Sequence, residues 1–219
     1  ILFIRLSALG DVLLATPAAR ALARRFPGAQ IDWLVEKPYV PLLAGNPHVS
    51  PVGYDKRGEH AGLAGLRRLS AQLSSRGYDL VVDLQGKPKT WYLRAVARER
   101  LAMRKRSVAQ GLAALLGRDQ PLTRAHATEL FVEALAPLGV EADGGRLELK
   151  LTPEMLAEGG APQAGRRPTV GIAPGARWAT KRWPPERFGE VGAAFVQRGY
   201  DLLLIGGPGD AEAFAAARS

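Results

Sequence analysis

Apolar and polar positions along the chain switch repeatedly between two periods. "ILFIRLS" is a short run of strand type. In "DVLLATPAARALARRF", which follows it, Val12, Leu13, Ala15, Ala18, Ala19, Leu22 and Phe26 fall at helical spacing. Pro17 is expected to kink that helix or to restart it, because proline lacks the N–H that an inner turn needs. "PGAQIDWLVE" then reads as turn and strand, "YVPLLAGNP" as a short helix closed by Gly45, and "VSPVGYD" as a strand. The amphipathic helix "AGLAGLRRLSAQLSSRGY" leads into the strand "DLVVDLQG". A basic helix is expected from about Thr90, another helix over "ATELFVEALAPLGV" stopped by Gly139, and an extended stretch at "LELKL".

The alternation then pauses and starts again. Residues 152–168, "TPEMLAEGGAPQAGRRP", are rich in Gly, Pro and Ala and are expected to link two domains. After them come a strand "TVGIAPG", a helix "PPERFGEVGAAFVQRG", a strand "YDLLLIGG" and a helix "GDAEAFAAARS". Strands alternating with helices of this length imply βαβ units and parallel sheets, an α/β fold. The expected division is a Rossmann-like domain over 1–151, a linker over 152–168, and the beginning of a second such domain over 169–219. A doubly wound sheet of that second length buries too little surface to stand alone. The chain is therefore expected to be cut short, and its opening on Ile1 rather than Met points to missing N-terminal residues as well.

Composition narrows the classes. At 47% hydrophobic and 23% charged, the 219-residue chain suits a folded, soluble protein. No apolar run reaches the roughly 18 residues of a membrane span, and the chain opens on a strand rather than on the basic-then-apolar pattern of a secretory signal. Without cysteine there are no disulfides or thiolate metal sites. His48, His60 and His126 are too scattered to suggest a metal centre. The net charge of +9 is uneven: residues 1–150 carry 22 Lys and Arg against 14 Asp and Glu, and residues 87–106 carry 8 basic residues against one acid. Such a stretch attracts nucleic acid, anionic lipid or a phosphorylated small molecule, or is simply a solvated basic face. It lacks the aromatic interleaving of a single-strand binder.

Two turns carry candidate chemistry. Ser7-Ala8-Leu9-Gly10-Asp11 lies at the C-terminal end of the first strand, where open parallel sheets bind ligands. It has neither the G-x-G-x-x-G of a dinucleotide site nor the glycine-lysine pattern of a P-loop. Asp11 is therefore read either as the N-cap of the next helix or as a general base. The positive end of a helix dipole favours the anion, so such a carboxylate takes a hydroxyl proton only as that oxygen bonds to an electron-poor carbon. The second turn, "IAPGARWATKRWPPERF", offers Gly175, Arg177, Thr180 and Lys181 at another strand end. Backbone amides, a hydroxyl and cations there suit a phosphate; a surface loop over packed Trp178 and Trp183 is the plainer reading.

"RLSALGDVLLATPAARALARRFPGAQIDWLVE", "YDLVVDLQGKPKTWYL", "PGARWATKRWPPERF" and "LLLIGGPGDAE" together resemble the lipopolysaccharide-core heptosyltransferases, glycosyltransferase family 9, in the same order over nearly the whole chain. The resemblance implies a GT-B architecture of two Rossmann-like domains, the first for the acceptor and the second for a nucleotide sugar, typically ADP-heptose. It implies metal-independent transfer with inversion and no cofactor beyond the ADP-sugar donor, and this chain indeed has no Asp-x-Asp. Asp11 matches the family's catalytic aspartate and Lys181 its phosphate-binding lysine. Ser7, Gly10, Asp83, Gln85, Gly86, Lys87 and Lys89 are placed at the acceptor, an anionic, lipid A-linked inner-core sugar, with buttressing of a loop open as the other reading of Asp83, Gln85 and Gly86; Lys181, Thr180, Arg177 and Gly175 are placed at the donor. A cytoplasmic location with peripheral contact at the inner membrane is expected, and no nucleic acid. The family's later Asp-Thr-Gly segment, which grips the donor, is missing here, so donor binding by this chain is expected to be weak. Two alternatives stay open: transfer of another sugar in capsule or glycan synthesis, and a non-catalytic basic protein holding nucleic acid or anionic membrane.

Overall fold

The structure, a computed structural model, describes residues 1–103, 126–159, 167–176 and 179–218. The chain divides into two compact units, Ile1–Glu158 and Gly159–Ser219. The first holds five parallel strands: β1 Leu2–Ile4, β2 Asp32–Glu36, β3 Ser50–Tyr54, β4 Leu80–Asp83 and β5 Glu99–Ala102. Their order across the sheet is β3-β2-β1-β4-β5. Leu2 pairs with Asp32 on one side and Val81 on the other. The winding therefore reverses at β1 and β4. The crevice beyond their carboxyl ends is a topological switch point, the usual ligand position in such sheets.

β1, β2 and β4 are buried along their whole length, as parallel strands covered on both faces must be. On one face Phe3, Trp33, Val35 and Val82 meet Val12, Ala18, Ala19 and Leu22 of helices α1 (Leu9–Leu14) and α2 (Thr16–Arg25), together with Phe131 and Val132 of α5 (Ala127–Glu133). On the other, Leu2, Ile4, Leu34 and Val81 meet Leu66, Leu69 and Leu73 of α3 (Gly62–Ser74) and Leu93 of α4 (Pro88–Leu93). Phe3 and Trp33 pack edge to face at 4.6 Å, and the Trp33 indole N–H donates to the Arg5 carbonyl at 3.1 Å.

Several expectations change in the fold. Pro17 restarts the helix: α1 ends before Ala15, and the proline stands in the first turn of α2, where no N–H is missed. The short helix expected at "YVPLLAGNP" is present as a 3-10 helix, Lys37–Leu43, since Pro41 removes an inner donor. The basic helix expected from about Thr90 is only the six-residue α4, followed by a 3-10 turn at Arg94–Val96 and then strand β5. "ERLA" has helical residue preferences but pairs with the open edge of β4, where the Glu99 and Met103 amides donate to the Asp79 and Asp83 carbonyls. Residues 104–106, the most basic end of that stretch, lie outside the described residues. "LELKL" forms no strand.

Part of the expected linker, Pro153–Gly159, is helix α6. The second unit holds two parallel strands, β6 Thr169–Ile172 and β7 Asp201–Leu204, with helices α7 Pro185–Gln197 and α8 Ala211–Arg218. Among the described residues no helix is long and apolar enough to cross a membrane.

Candidate active site

The chain leaves β1 through Arg5, Leu6 and Ser7 and enters α1 at Leu9. The N-cap is Ala8, so Asp11 is not the cap; it is the third helical residue. From there its carboxylate reaches back to the Ala8 N–H at 3.4 Å. The same oxygen, Oδ2, meets the Arg5 guanidinium at 2.5 Å, and Oδ1 has no partner among the described residues. The Asp11 side chain is 43% exposed and that of Arg5 only 12%. One oxygen is thus held, and the side chain as a whole stays partly open. Gly10 lies inside α1, and the space above it is open.

Arg5 is the residue that sequence reasoning missed. Its guanidinium donates to the Leu84 carbonyl at 2.7 Å, stands 4.9 Å over the Phe131 ring and pairs with Asp11. Its Nε is buried without a hydrogen-bond partner among the described residues. Arginine in "ILFIRLS" looks like an outward strand position, and no local signal shows that it turns toward Asp11.

The β4 end supplies a frame more than a binding surface. Asp83 is fully buried. Its Oδ1 accepts from the Gln85 and Gly86 amides, each at 2.9 Å, and its Oδ2 from Arg94 Nε at 2.7 Å. With both oxygens engaged and no exposure, Asp83 buttresses the loop and offers no atom to an acceptor. Gln85 is also buried, and its side-chain oxygen accepts from the Leu6 and Ser7 amides at 3.0 and 3.4 Å. Gln85 therefore ties the β4 loop to the β1 loop and sets the position of Ser7. Gly86 has φ 57°, a left-handed conformation that disfavours a side chain. Lys87 and Lys89 are exposed at the start of α4. Asp83→Asn keeps an acceptor for the two amides but loses the charge opposite Arg94. We expect it to lower stability by about 1–3 kcal/mol, read from the urea midpoint; an unchanged midpoint would return Asp83 to a binding role.

At the end of β6, Gly175 follows buried Pro174. A Cβ at Gly175 would overlap the Asp210 carboxylate, and one at Gly206 would crowd both that carboxylate and Phe214. Asp210 Oδ2 also accepts from the Gly207 amide at 2.8 Å. Both glycines are thus explained by an acid that the sequence reading had not singled out, although "GGPGD" contains it. A phosphate at Gly175 would meet that negative charge at short range, whereas Thr180 and Lys181 are exposed in the 3-10 turn Ala179–Lys181. Arg182 Nε donates to the Ala176 carbonyl at 2.6 Å and closes this loop on itself. Trp183 packs edge to face on Phe188 at 5.0 Å. Arg177 and Trp178 lie outside the described residues. Among the described residues no group of three or more His, Asp or Glu is placed to hold a metal ion.

The family model of glycosyltransferase family 9 (heptosyltransferase) matches residues 66–219. Lipopolysaccharide heptosyltransferase 1 of Pseudomonas aeruginosa is 31% identical over 227 aligned residues, covering 93% of this chain and 60% of its own. Lipopolysaccharide heptosyltransferase 3 of Escherichia coli strain K12 is 27% identical, with coverages of 91% and 60%. This chain thus spans three fifths of the length of these curated relatives. Among solved structures, a glycosyltransferase family 9 protein from Veillonella parvula superposes with a TM-score of 0.77 at 25% identity, over 99% of this chain and 65% of the other. The E. coli heptosyltransferase WaaC, solved with ADP-2-deoxy-2-fluoro heptose, gives 0.71 at 22% identity, over 100% and 72%, a likeness of fold.

Proposed function

The chain belongs to glycosyltransferase family 9, the heptosyltransferases, and from that premise we propose that the intact protein transfers a heptose from ADP-heptose to a sugar of a lipid A-linked lipopolysaccharide inner core, with inversion. The observation that carries this reading is the Asp11 carboxylate at the switch point of the first sheet, with one oxygen clamped by Arg5 and the other free.

In this mechanism the acceptor hydroxyl donates to Asp11 Oδ1 and attacks the anomeric carbon from the face opposite the diphosphate. The C–O bond to the acceptor forms as the bond to the ADP oxygen breaks. The hydroxyl proton passes to Asp11 late, when the oxygen has given up most of its electron density. Arg5 keeps the carboxylate in one orientation, so alignment is already in place before the acceptor arrives. Lys181, with Thr180 beside it, neutralises the negative charge that builds on the departing ADP.

The test is release of ADP by the full-length protein from ADP-heptose in the presence of a heptose-free, lipid A-linked inner core. ADP release with formation of a heptosylated product is expected. Turnover with a different nucleotide sugar, and none with ADP-heptose, would replace this reading by transfer of another sugar. For the donor side, Lys181→Ala in the full-length protein should weaken ADP binding by about tenfold, the loss of one charge-assisted phosphate contact. An unchanged ADP titration would remove Lys181 from the donor site.

A further inference from the structure

The backbone ladder between β1 and β4 ends at the Leu84 amide, which donates to the Ile4 carbonyl at 3.0 Å. Beyond it, side chains take over. The Leu84 carbonyl accepts from the Arg5 guanidinium at 2.7 Å. The Leu6 and Ser7 amides have no backbone partner among the described residues, and both donate to the side-chain oxygen of Gln85, at 3.0 and 3.4 Å. A buried amide left without an acceptor is costly, so one oxygen serving both fixes this stretch of chain.

The order of these contacts along the chain bears directly on Asp11. Its Oδ2 is held at two points, by the guanidinium of Arg5 and by the amide of Ala8. Gln85 holds residues 6 and 7, which lie between those points. Its neighbour Leu84 orients Arg5 itself. Gln85 is fixed in turn: it is 4% exposed, and its own amide donates to the buried Asp83 carboxylate at 2.9 Å. Both hydrogen bonds of the side chain run through its oxygen, and Nε2 makes none among the described residues.

We propose that Gln85 is a positioning residue for Asp11: its side-chain oxygen holds the Leu6 and Ser7 amides, and through them the two contacts that aim the carboxylate. The hold on the carboxylate is argued from these distances alone; its consequence for transfer rests on the role proposed for Asp11 above. A reacting group displaced by about 1 Å can lose about 100-fold in rate with nothing changed in what binds.

Variants of the full-length protein test this. Gln85→Asn withdraws the oxygen by one carbon–carbon bond, about 1.5 Å. Gln85→Met removes it and keeps the volume. Gln85→Glu keeps an acceptor at the same reach and exchanges the Nε2 donor for a second oxygen. Carboxyl-carbon NMR of aspartate-labelled protein, with the Asp11 resonance identified by its loss in Asp11→Asn, reads the carboxylate without any substrate. That resonance should shift in Gln85→Asn and Gln85→Met and return toward the parent position in Gln85→Glu. ADP release is then followed with ADP-heptose and the heptose-free inner core. In Gln85→Asn and Gln85→Met, kcat should fall about 10- to 100-fold with KM for both substrates near that of the parent. Gln85→Glu should recover kcat to within about fivefold of the parent. Arg20→Met, which removes a cation that touches neither loop, controls for lost stability: its urea midpoint should fall while its kcat holds. If Gln85→Met does not fold, Gln85→Asn and Gln85→Glu carry the comparison by themselves.

An Asp11 resonance unmoved by the loss of the Gln85 oxygen would overturn the proposal, and so would an unchanged kcat. A raised KM for the acceptor with kcat intact, in Gln85→Glu as in the other two, would put Gln85 in contact with the acceptor and overturn it as well. If the parent releases no ADP from ADP-heptose, the transferase reading fails, and the Asp11 resonance still decides the role of Gln85.

Discussion

Asp11→Asn in the full-length protein is expected to lower turnover by about 100-fold or more, with donor affinity nearly unchanged. The asparagine has the same shape, and its side-chain oxygen can still accept from Arg5 and the Ala8 amide, the two contacts that Oδ2 now makes. What it cannot do is take a proton at the second position, which becomes an amide nitrogen. The variant therefore separates the two readings of this residue. If Asp11 served only to start α1, Asn would be nearly as good and turnover would stay close to normal. If it is the base, the loss appears in kcat while ADP titration and the unfolding midpoint hold. Arg5→Met adds a second reading at the same site, because it frees the carboxylate without removing it. Near-normal turnover for Asp11→Asn would take Asp11 out of the mechanism.

Arg20→Met is expected to destabilise the first unit by about 3 kcal/mol, read as a lowered urea midpoint. The Arg20 side chain is 9% exposed and lies at the centre of an ionic cluster. It meets Asp143 through Nε at 2.6 Å and Nη2 at 2.9 Å, the Arg146 carbonyl at 3.0 Å and Glu148 at 2.9 Å. Arg24 adds a second cation to Asp143 at 3.0 Å, and Asn46 donates to Glu148 at 3.1 Å. The Glu148 amide donates to the Thr16 hydroxyl at 2.9 Å. Methionine fills similar space but leaves two carboxylates facing each other without their shared cation. Asp143 then keeps only the exposed Arg24 as a cation and Glu148 only the Asn46 amide and His48, and a carboxylate short of its cation in a poorly solvated place is the expensive state. A midpoint within error of the parent would mean that the cluster is not what holds residues 143–148 on α2.

The same cluster has a pH signature. The hydrogen bonds from Arg20, and then that from the Gly145 amide, hold the Asp143 carboxyl well below the usual carboxylate range, against the opposing effect of burial. A folded value below the unfolded one means stability that is fully present above the unfolded value, about 4, and is lost as pH falls toward the folded one. The stability difference between the parent and Asp143→Asn should therefore shrink between about pH 5 and pH 2. A difference that stayed constant over this range would contradict the assignment.

Local sequence made Asp11 visible and concealed its partner. The S-x-x-G-D turn is a contiguous pattern, and a carboxylate at a strand-to-helix junction can be reasoned about from five residues. Arg5 is only six residues away, but its role depends on Leu84 and Phe131, which reach it through tertiary packing. For Asp83 the sequence left two readings, a place at the acceptor and a brace for its loop. In "DLQG" it looks like a polar group offered at a strand end, and only the arrival of Arg94 from the far side of α4 turns it into a buried brace. Gly175 behaves similarly, because its reason for being glycine is Asp210, which sits beyond the next strand.

Strand β5 and the stretch 147–151 show where periodicity stops being informative. "ERLA" carries helix-forming residues yet pairs with β4, and "LELKL" alternates like a strand yet pairs with nothing and is held by Arg20 and Thr16. The sequence by itself determined the alternation of strands and helices, the parallel α/β class, the family and the positions of Asp11 and Lys181, because each of these is written in short windows of residue type and spacing. Tertiary structure alone decided which carboxylate stays open, which is braced, which edge gains a strand and which side chains remain in water. Those outcomes depend on groups brought together across many residues of chain, and the energies that choose among them, desolvation and charge pairing, exist only once the partners have met.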